Sequence, residues 1–298
     1  WVSPFGFRTA VRRKVNRRSA CRLACPGVPD TFGFQSRRQR TGWVSMQKTL
    51  SEMPAGEADN NERFDRYSRA NPTPHYRALL NFYQQMHSQG YQQLRGGQLK
   101  KKAPEESFPG KKTLEFRDVV KSLVDHFGAT SLFDYGAGKG GHYSETTVIT
   151  DSNSGEQYFG LKDYWGLESV TTWEPGLEQP APEGKHDAVI CVDVLEHCFL
   201  GDIFWIVDEL FSLADQFVFA NVACYPAKAI LPNGNNVHTL VRKPQWWYGV
   251  FDAVASRHPG VDYYLCCAVP NPEGGRGLKW FQRQPIEPSV VEETNFER

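Results

Sequence analysis

The sequence predicts an α/β fold organised on a mostly parallel sheet. Three observations carry this expectation. Between Leu114 and Arg283, short runs rich in β-branched and apolar residues alternate with segments of helical period. One run, Asp187-Ala188-Val189-Ile190-Cys191-Val192, is apolar without alternation, as a strand covered on both faces should be. Another, Ser131-Leu132-Phe133-Asp134-Tyr135, leads straight into Gly136-Ala137-Gly138-Lys139-Gly140-Gly141, a strand-to-glycine-loop transition of the kind that holds ligands at strand carboxyl ends.

In chain order, residues 1–45 form a basic leader, rich in arginine from Arg8 to Arg40, with Asp30 its only acid and no methionine before Met46. Three readings compete there: an organelle transit peptide, a nucleic-acid-binding arm, or translated sequence upstream of a start at Met46. No function is placed on it. Residues 46–112 read as a linker and a helical extension. Ser51 to Asn71 is polar, with Pro54, Gly56 and Asn60-Asn61. After Pro74, Tyr76, Leu79, Leu80, Tyr83, Met86 and His87 recur at helical spacing, and Gly90 and Gly96-Gly97 end the segment. Lys100-Lys101-Lys102 reads as a solvated stretch. The extension either packs on the domain that follows or covers it as a lid.

Residues 113–285 carry the α/β pattern. A helix is expected from Leu114 to Phe127, stopped by Gly128, followed by strands at Ser131–Tyr135, Val170–Trp173 and Asp187–Val192. A helix over Ile203–Leu213, a buried strand at Phe217–Ala220 and a helix over Trp246–Ser256 come next. Strands at Tyr263–Ala268 and Leu278–Arg283, joined through Gly274-Gly275, close the domain before a tail at 286–298.

The formal net charge is zero, which gives no reason for tight nonspecific binding to nucleic acid or acidic membranes but leaves room for a local basic patch. No stretch is long and apolar enough to span a bilayer. The seven cysteines are few for this length, odd in number and without a paired C-x-x-C zinc arrangement. They imply a reducing, cytoplasmic setting.

The glycine loop admits more than one ligand. Gly136, Gly138 and Gly141 satisfy G-x-G-x-x-G, so a dinucleotide is one reading, and an NAD(P)-dependent oxidoreductase the function it implies. Asp134 weighs against it, because a carboxylate beside the turn repels pyrophosphate and tolerates a ligand with a cationic end. A P-loop is excluded, since Lys139 is not followed by Ser or Thr.

The string from Ser131 to Gly141 resembles the first motif of class I S-adenosylmethionine (SAM)-dependent methyltransferases, an apolar run followed by D-x-G-x-G. Asp187-Ala188-Val189-Ile190-Cys191-Val192-Asp193-Val194-Leu195-Glu196-His197 resembles a later motif of the same family, with His186 in place of the usual aromatic before the aspartate. The resemblance spans Leu114 to Arg283 and extends to methyltransferase-domain proteins of phage and bacterial genomes. It implies a Rossmann-like, seven-stranded, mostly parallel sheet with helices on both faces and an antiparallel strand at one edge. It also implies SAM as methyl donor, with Asp134, Tyr135, Gly136, Gly138, Gly140, Glu174 and Asp193 as cofactor-binding residues and Glu174 on the ribose hydroxyls. Glu168 is a rival for that last role. The stretch from Glu145 to Tyr164 is an insertion between the glycine loop and the next strand, either a substrate-side elaboration or a distorted first crossover.

Asp193, Glu196 and His197 stand at i, i+3 and i+4, on one face if a helix opens there. With His238 they form a candidate Mg²⁺ or Mn²⁺ site, similar to the E-x-x-E-H of metal-using ubiquinone-pathway O-methyltransferases and of small-RNA 3′-terminal 2′-O-methyltransferases. The competing reading has Glu196 and His197 merely holding the turn by hydrogen bonds. Without a metal, Asp193 or His238 is the expected proton acceptor. Tyr225 and Trp246 are expected on the acceptor side, Trp247 in the core. An oxygen acceptor is favoured, on a small molecule or an RNA terminus. A nonenzymatic SAM-binding protein is the remaining alternative.

Overall fold

The structure is a computed structural model and describes residues 67–152, 154–271 and 273–283. The basic leader, most of the linker and the tail lie outside the described residues. Helix α1 (Pro74–Gln89) opens on Thr73, whose hydroxyl accepts from the Tyr76 N–H at 3.1 Å, with proline in its first turn. Strands β1 (Tyr91–Arg95) and β2 (Gln98–Lys102) follow, then a 3₁₀ turn at Lys111–Phe116 running into α2 (Arg117–Phe127). Gly128 ends α2 in the left-handed conformation, φ 65°. Next come β3 (Ser131–Tyr135), β4 (Val148–Thr150), β5 (Gln157–Phe159), α3 (Leu161–Trp165), β6 (Ser169–Trp173) and β7 (His186–Val192). The rest is α4 (Ile203–Leu213), β8 (Ala214–Ala223), β9 (Ala229–Ile230), α5 (Pro244–Ala255), β10 (Asp262–Pro270) and β11 (Arg276–Gln282).

The main sheet has the order β6-β3-β7-β8-β10-β11. Every pair is parallel except β10–β11, so the expected antiparallel strand is present at an edge. The sheet has six strands, not the seven expected: beyond β6 the chain supplies no further neighbour among the described residues. Both faces are covered. Leu132, Ile190, Phe219 and Cys266 point to a layer holding Val120 and Leu123 of α2 and Leu161 and Trp165 of α3. Phe133, Val189, Val218 and Leu265 point to the other, with Ile206, Leu210, Trp247 and Phe251 of α4 and α5. This two-sided burial is why the strands read as continuous apolar runs.

Two regions differ from expectation. Residues 91–102 form a hairpin around Gly96-Gly97, extended by β9, where the glycines were expected only to end the helical segment; Lys100 and Lys101 are exposed, as the solvated reading expects. Its strands carry no apolar alternation, so the two-glycine turn was the only signal. The Glu145–Tyr164 stretch is a two-stranded hairpin, β4–β5, followed by the single turn of α3. Tyr164 and Trp165 pin it to α2 through the Asp118 carboxylate (2.6 Å) and the Arg117 carbonyl (2.9 Å), so it is a shortened, packed crossover.

α1 is tied to the domain, not hung from it. The Asp202 carboxylate, fully buried, accepts from the Thr73 N–H at 3.0 Å and the Thr73 hydroxyl at 2.5 Å. Just upstream, Arg69 stacks on Trp173 with its guanidinium 4.3 Å from the ring centroid, pairs with Glu209 and donates to the Tyr135 hydroxyl at 2.8 Å. No helix among the described residues is long and apolar enough to cross a membrane.

Candidate functional site

In the main sheet, the chain runs outward from β3 to β6 in one direction and from β7 through β8 to β10 in the other. The reversal lies between β3 and β7, the place where open α/β sheets bind ligands beyond their strand carboxyl ends. A cavity of about 580 Å³ occupies that place. The loops after β3 (Gly136, Gly138), β6 (Glu174) and β7 (Asp193) all border it. α1 roofs it with Tyr83 and His87, and the hairpin adds Tyr91 and Gln93. Tyr225 and His238, from the long loop after β8, complete the wall.

The glycine loop is shaped by protein contacts. Gly138 sits at φ 59°, and a Cβ there would lie 2.4 Å from the Phe108 carbonyl oxygen. A Cβ on Gly136 would lie 2.5 Å from Val194, across the switch point. All six N–H groups from Gly136 to Gly141 donate within the protein. Gly136 and Ala137 donate to the Trp173 carbonyl, Gly138 to Glu174 Oε2, Lys139 to Phe108, Gly140 to Ala137 and Gly141 to Pro109.

Asp134 does not meet the cavity, contrary to the role expected of it. It is 1 % exposed and points to the α2–α3 side, where its carboxylate accepts from His142 Nε2 (2.9 Å) and the Tyr143 hydroxyl (3.0 Å). Alternation along β3 explains this: Phe133 and Tyr135 take the opposite face. Asp134 therefore anchors the loop. Tyr135 contributes to the wall while its hydroxyl is spent on Arg69 and Glu209. Gly140 is not part of the wall.

Glu174 does border the cavity. Its carboxylate accepts from the N–H groups of Gly138 (3.1 Å) and Gly176 (2.9 Å), joining the β3 and β6 loops. Glu168 precedes β6 and lies at the far end of the strand, which removes it as a rival. His87, read from the sequence only as part of an apolar helix face, is buried against Phe108 with both ring nitrogens lacking hydrogen-bond partners. Its Nε2 is 3.8 Å from Glu174 Oε1. Tyr83 belongs to the same apolar helix face in the sequence.

After β7, Asp193 adopts φ 62°, a left-handed conformation that aspartate tolerates better than most residues. Its N–H donates to the Asn221 carbonyl at 3.1 Å. Residues Leu195–His197 form a 3₁₀ turn, not the start of an α-helix. Glu196 is fully buried; its Oε1 accepts from the Ala223 N–H at 2.5 Å, and no donor reaches Oε2. Burial, and then the neighbouring Asp193 carboxylate, push its pKa well above the usual range.

Glu196, His197 and His238 bring one ligand atom each within 4.8 Å of one another. Asp193 is not in this group, so the expected four-residue set contracts to three. His238 Nδ1 donates to the Tyr225 carbonyl at 2.6 Å, which leaves its Nε2 lone pair uncommitted. His197 Nδ1 meets the Tyr83 hydroxyl at 2.5 Å. Burial, then the adjacent His238, lowers the His197 pKa to about 4, although Asp193 and the Val237 carbonyl act the other way. Burial also lowers His238. Both imidazoles are thus neutral, the state needed for a metal ligand or a general base.

Trp246, expected on the acceptor side, is outside the cavity wall. It packs edge-on against Trp247 with Arg242 over its ring, while Trp247 is fully buried in the core as expected. No family model, no curated protein and no solved structure matches this chain.

Proposed function

We propose that this chain transfers a methyl group from SAM to an acceptor hydroxyl. One observation carries the reading: the loops after three adjacent parallel strands, each bearing a residue of the methyltransferase-like pattern, border one cavity at the point where strand order reverses. The rival dinucleotide reading is weakened by the same loop. With all six N–H groups from Gly136 to Gly141 already donating to protein acceptors, a pyrophosphate finds no donors there. The methionine end of SAM brings an ammonium and a sulfonium, which call for acceptors and negative charge. Glu174 and Asp193 are the two acids of the wall, and each carboxylate keeps acceptor capacity beyond its present bonds.

Methyl transfer is a displacement at carbon with a neutral sulfide leaving, so the protein supplies alignment and removes the acceptor proton. His238 is placed for the second task, because the Tyr225 carbonyl fixes its tautomer and leaves Nε2 free to accept. Asp193 is the other proton acceptor on the wall.

Glu196, His197 and His238 fit a divalent cation. The unpartnered, fully buried Glu196 Oε2 is the observation that turn-holding alone leaves unexplained. Two imidazoles with one carboxylate favour a transition dication such as Mn²⁺ over Mg²⁺. Such an ion, when bound, supplies acidity to an acceptor hydroxyl. The setting for this chemistry is cytoplasmic, in keeping with the free cysteines at 191, 198, 224, 266 and 267.

The reading is tested by S-adenosylhomocysteine release across a panel of sugar, phenol, nucleoside and RNA-terminal hydroxyls. Turnover with at least one acceptor, reduced in His238→Ala, supports it. SAM binding with no product on any acceptor would leave a nonenzymatic SAM-binding protein instead.

A further inference from the structure

The cavity wall carries both signs of charge. Its two acids, Glu174 and Asp193, are half-buried at the strand ends; of its three lysines, Lys112 is half-buried and paired with Glu115, whereas Lys111 and Lys228 are exposed. They come from separate segments, one opening the turn before α2 and one just before β9. The hairpin extends the same charge. Side chains alternate along a strand, and directly paired residues share a face. Tyr91 and Gln93 border the cavity, so Arg95, two residues further on, and Lys100, paired with Gln93, stand on that cavity-side face. The Leu94 N–H donates to the Lys228 carbonyl at 2.7 Å, which fixes this face beside Lys228.

Among the described residues, none of Arg95, Lys100, Lys111 and Lys228 makes an ion pair, whereas Lys102 and Lys112 pair with Glu106 and Glu115. Lys111 and Lys228 border the cavity, and Arg95 and Lys100 share the strand face of Tyr91 and Gln93, a local excess of cations in a chain whose formal net charge is zero. Tyr91, stacked on Phe108 at 5.2 Å, anchors the hairpin in this position.

From this arrangement we infer that the acceptor carries a phosphate-ester anion, bound at the cavity mouth by Lys111 and Lys228 with Arg95 and Lys100 behind them. The inference rests on the methyl-transfer reading for the word acceptor; the anion site itself does not. It places the anion at the outer end of the cavity, away from the carboxylates that would face the donor.

The test is calorimetric titration of inorganic pyrophosphate into the full chain after EDTA treatment and dialysis. Wild type binds, and the double variant Lys111→Met/Lys228→Met loses affinity about tenfold or more, the scale of charge-assisted contacts to a phosphate. Lys101→Met, on the opposite hairpin face, binds as wild type does, and the affinity falls with added salt. SAM and pyrophosphate bind together without competing. A wild type that does not bind, equal binding by all three proteins, or competition with SAM overturns the inference. If SAM fails to bind while pyrophosphate behaves as described, the methyl-transfer reading falls and the anion site stands. An oligothymidylate of about eight nucleotides separates the sources. Tighter binding with a steeper salt dependence assigns the anion to a nucleic-acid strand end, and equal or weaker binding to a small phosphorylated molecule.

Discussion

Replacing Gly138 by alanine should damage both the fold and the cavity, and replacing Gly140 should damage neither to the same degree. Both glycines sit at positive φ, 59° and 63°, so the left-handed penalty of about 1–2 kcal/mol is common to the two variants and cancels. Their surroundings do not cancel. A Cβ at 138 would lie 2.4 Å from the Phe108 carbonyl oxygen, while at 140 the nearest atom is Thr172 Cγ2 at 3.9 Å. Backbone cannot swing aside as a side chain can, so Gly138→Ala adds an overpacking cost of about 1–3 kcal/mol. It also strains the 2.8 Å bond from the Lys139 N–H to that carbonyl, a contact worth about 1 kcal/mol. The expected loss is then roughly 3–5 kcal/mol for Gly138→Ala against about 1–2 kcal/mol for Gly140→Ala. At a urea slope of about 2–3 kcal/mol/M the midpoints separate by roughly 1 M. Phe108 packs on Tyr83, His87 and Tyr91, so its displacement also moves the cavity wall. SAM affinity should drop at least about tenfold in Gly138→Ala and stay near wild type in Gly140→Ala. Urea midpoints for the two variants that agree within about 0.2 M would refute the close-approach argument.

Glu196→Ala should abolish the heat of Mn²⁺ binding seen with wild type; equal or absent heats in the two proteins would remove the metal site. His87→Phe keeps the ring packing on Phe108 but deletes both unpartnered nitrogens. It should weaken SAM binding by about tenfold, the value of one or two hydrogen bonds, while leaving the urea midpoint unchanged or higher; unchanged affinity would make His87 a packing residue only. Burial alone would raise the Asp187 pKa, but the Thr130 and Ser131 N–H bonds, at 2.7 and 2.9 Å, outweigh it and hold the group below its ordinary value. Its stabilisation is therefore complete above the unfolded pKa and lost as pH falls through the lower folded value. The stability gap between wild type and Asp187→Asn should be present at neutral pH and close as pH falls through the lowered folded pKa; a gap independent of pH would contradict this.

Much of the fold was legible because burial on both faces writes itself into composition. β3 begins and ends where Ser131 and Tyr135 were expected to bound it, and α2 stops at Gly128, whose left-handed backbone is the stop signal itself. β8 was underestimated because its flanks, Ala214 and Asn221 among them, are weak strand formers that pairing with β7 and β10 recruits. The hairpin at 91–102 was missed because neither strand has an apolar face; cross-strand pairing and β9 hold it in place. The site was legible as a set of loops but not as a set of side chains. Asp134 directly precedes the loop that borders the cavity, yet strand alternation turns it to the other face, toward His142 and Tyr143. His87 and Tyr83 could not be separated from ordinary core residues by spacing, since only the docking of α1 over the cavity gives them neighbours of interest.

Whether the cavity at the β3–β7 switch point holds a methyl donor is decided by parallel equilibrium titrations of SAM and NADH against the full chain. A methyl-donor cavity gives one saturable SAM site, occupied equally by S-adenosylhomocysteine and weakened in Glu174→Ala, with NADH silent. Saturable NADH binding with no SAM binding would contradict it.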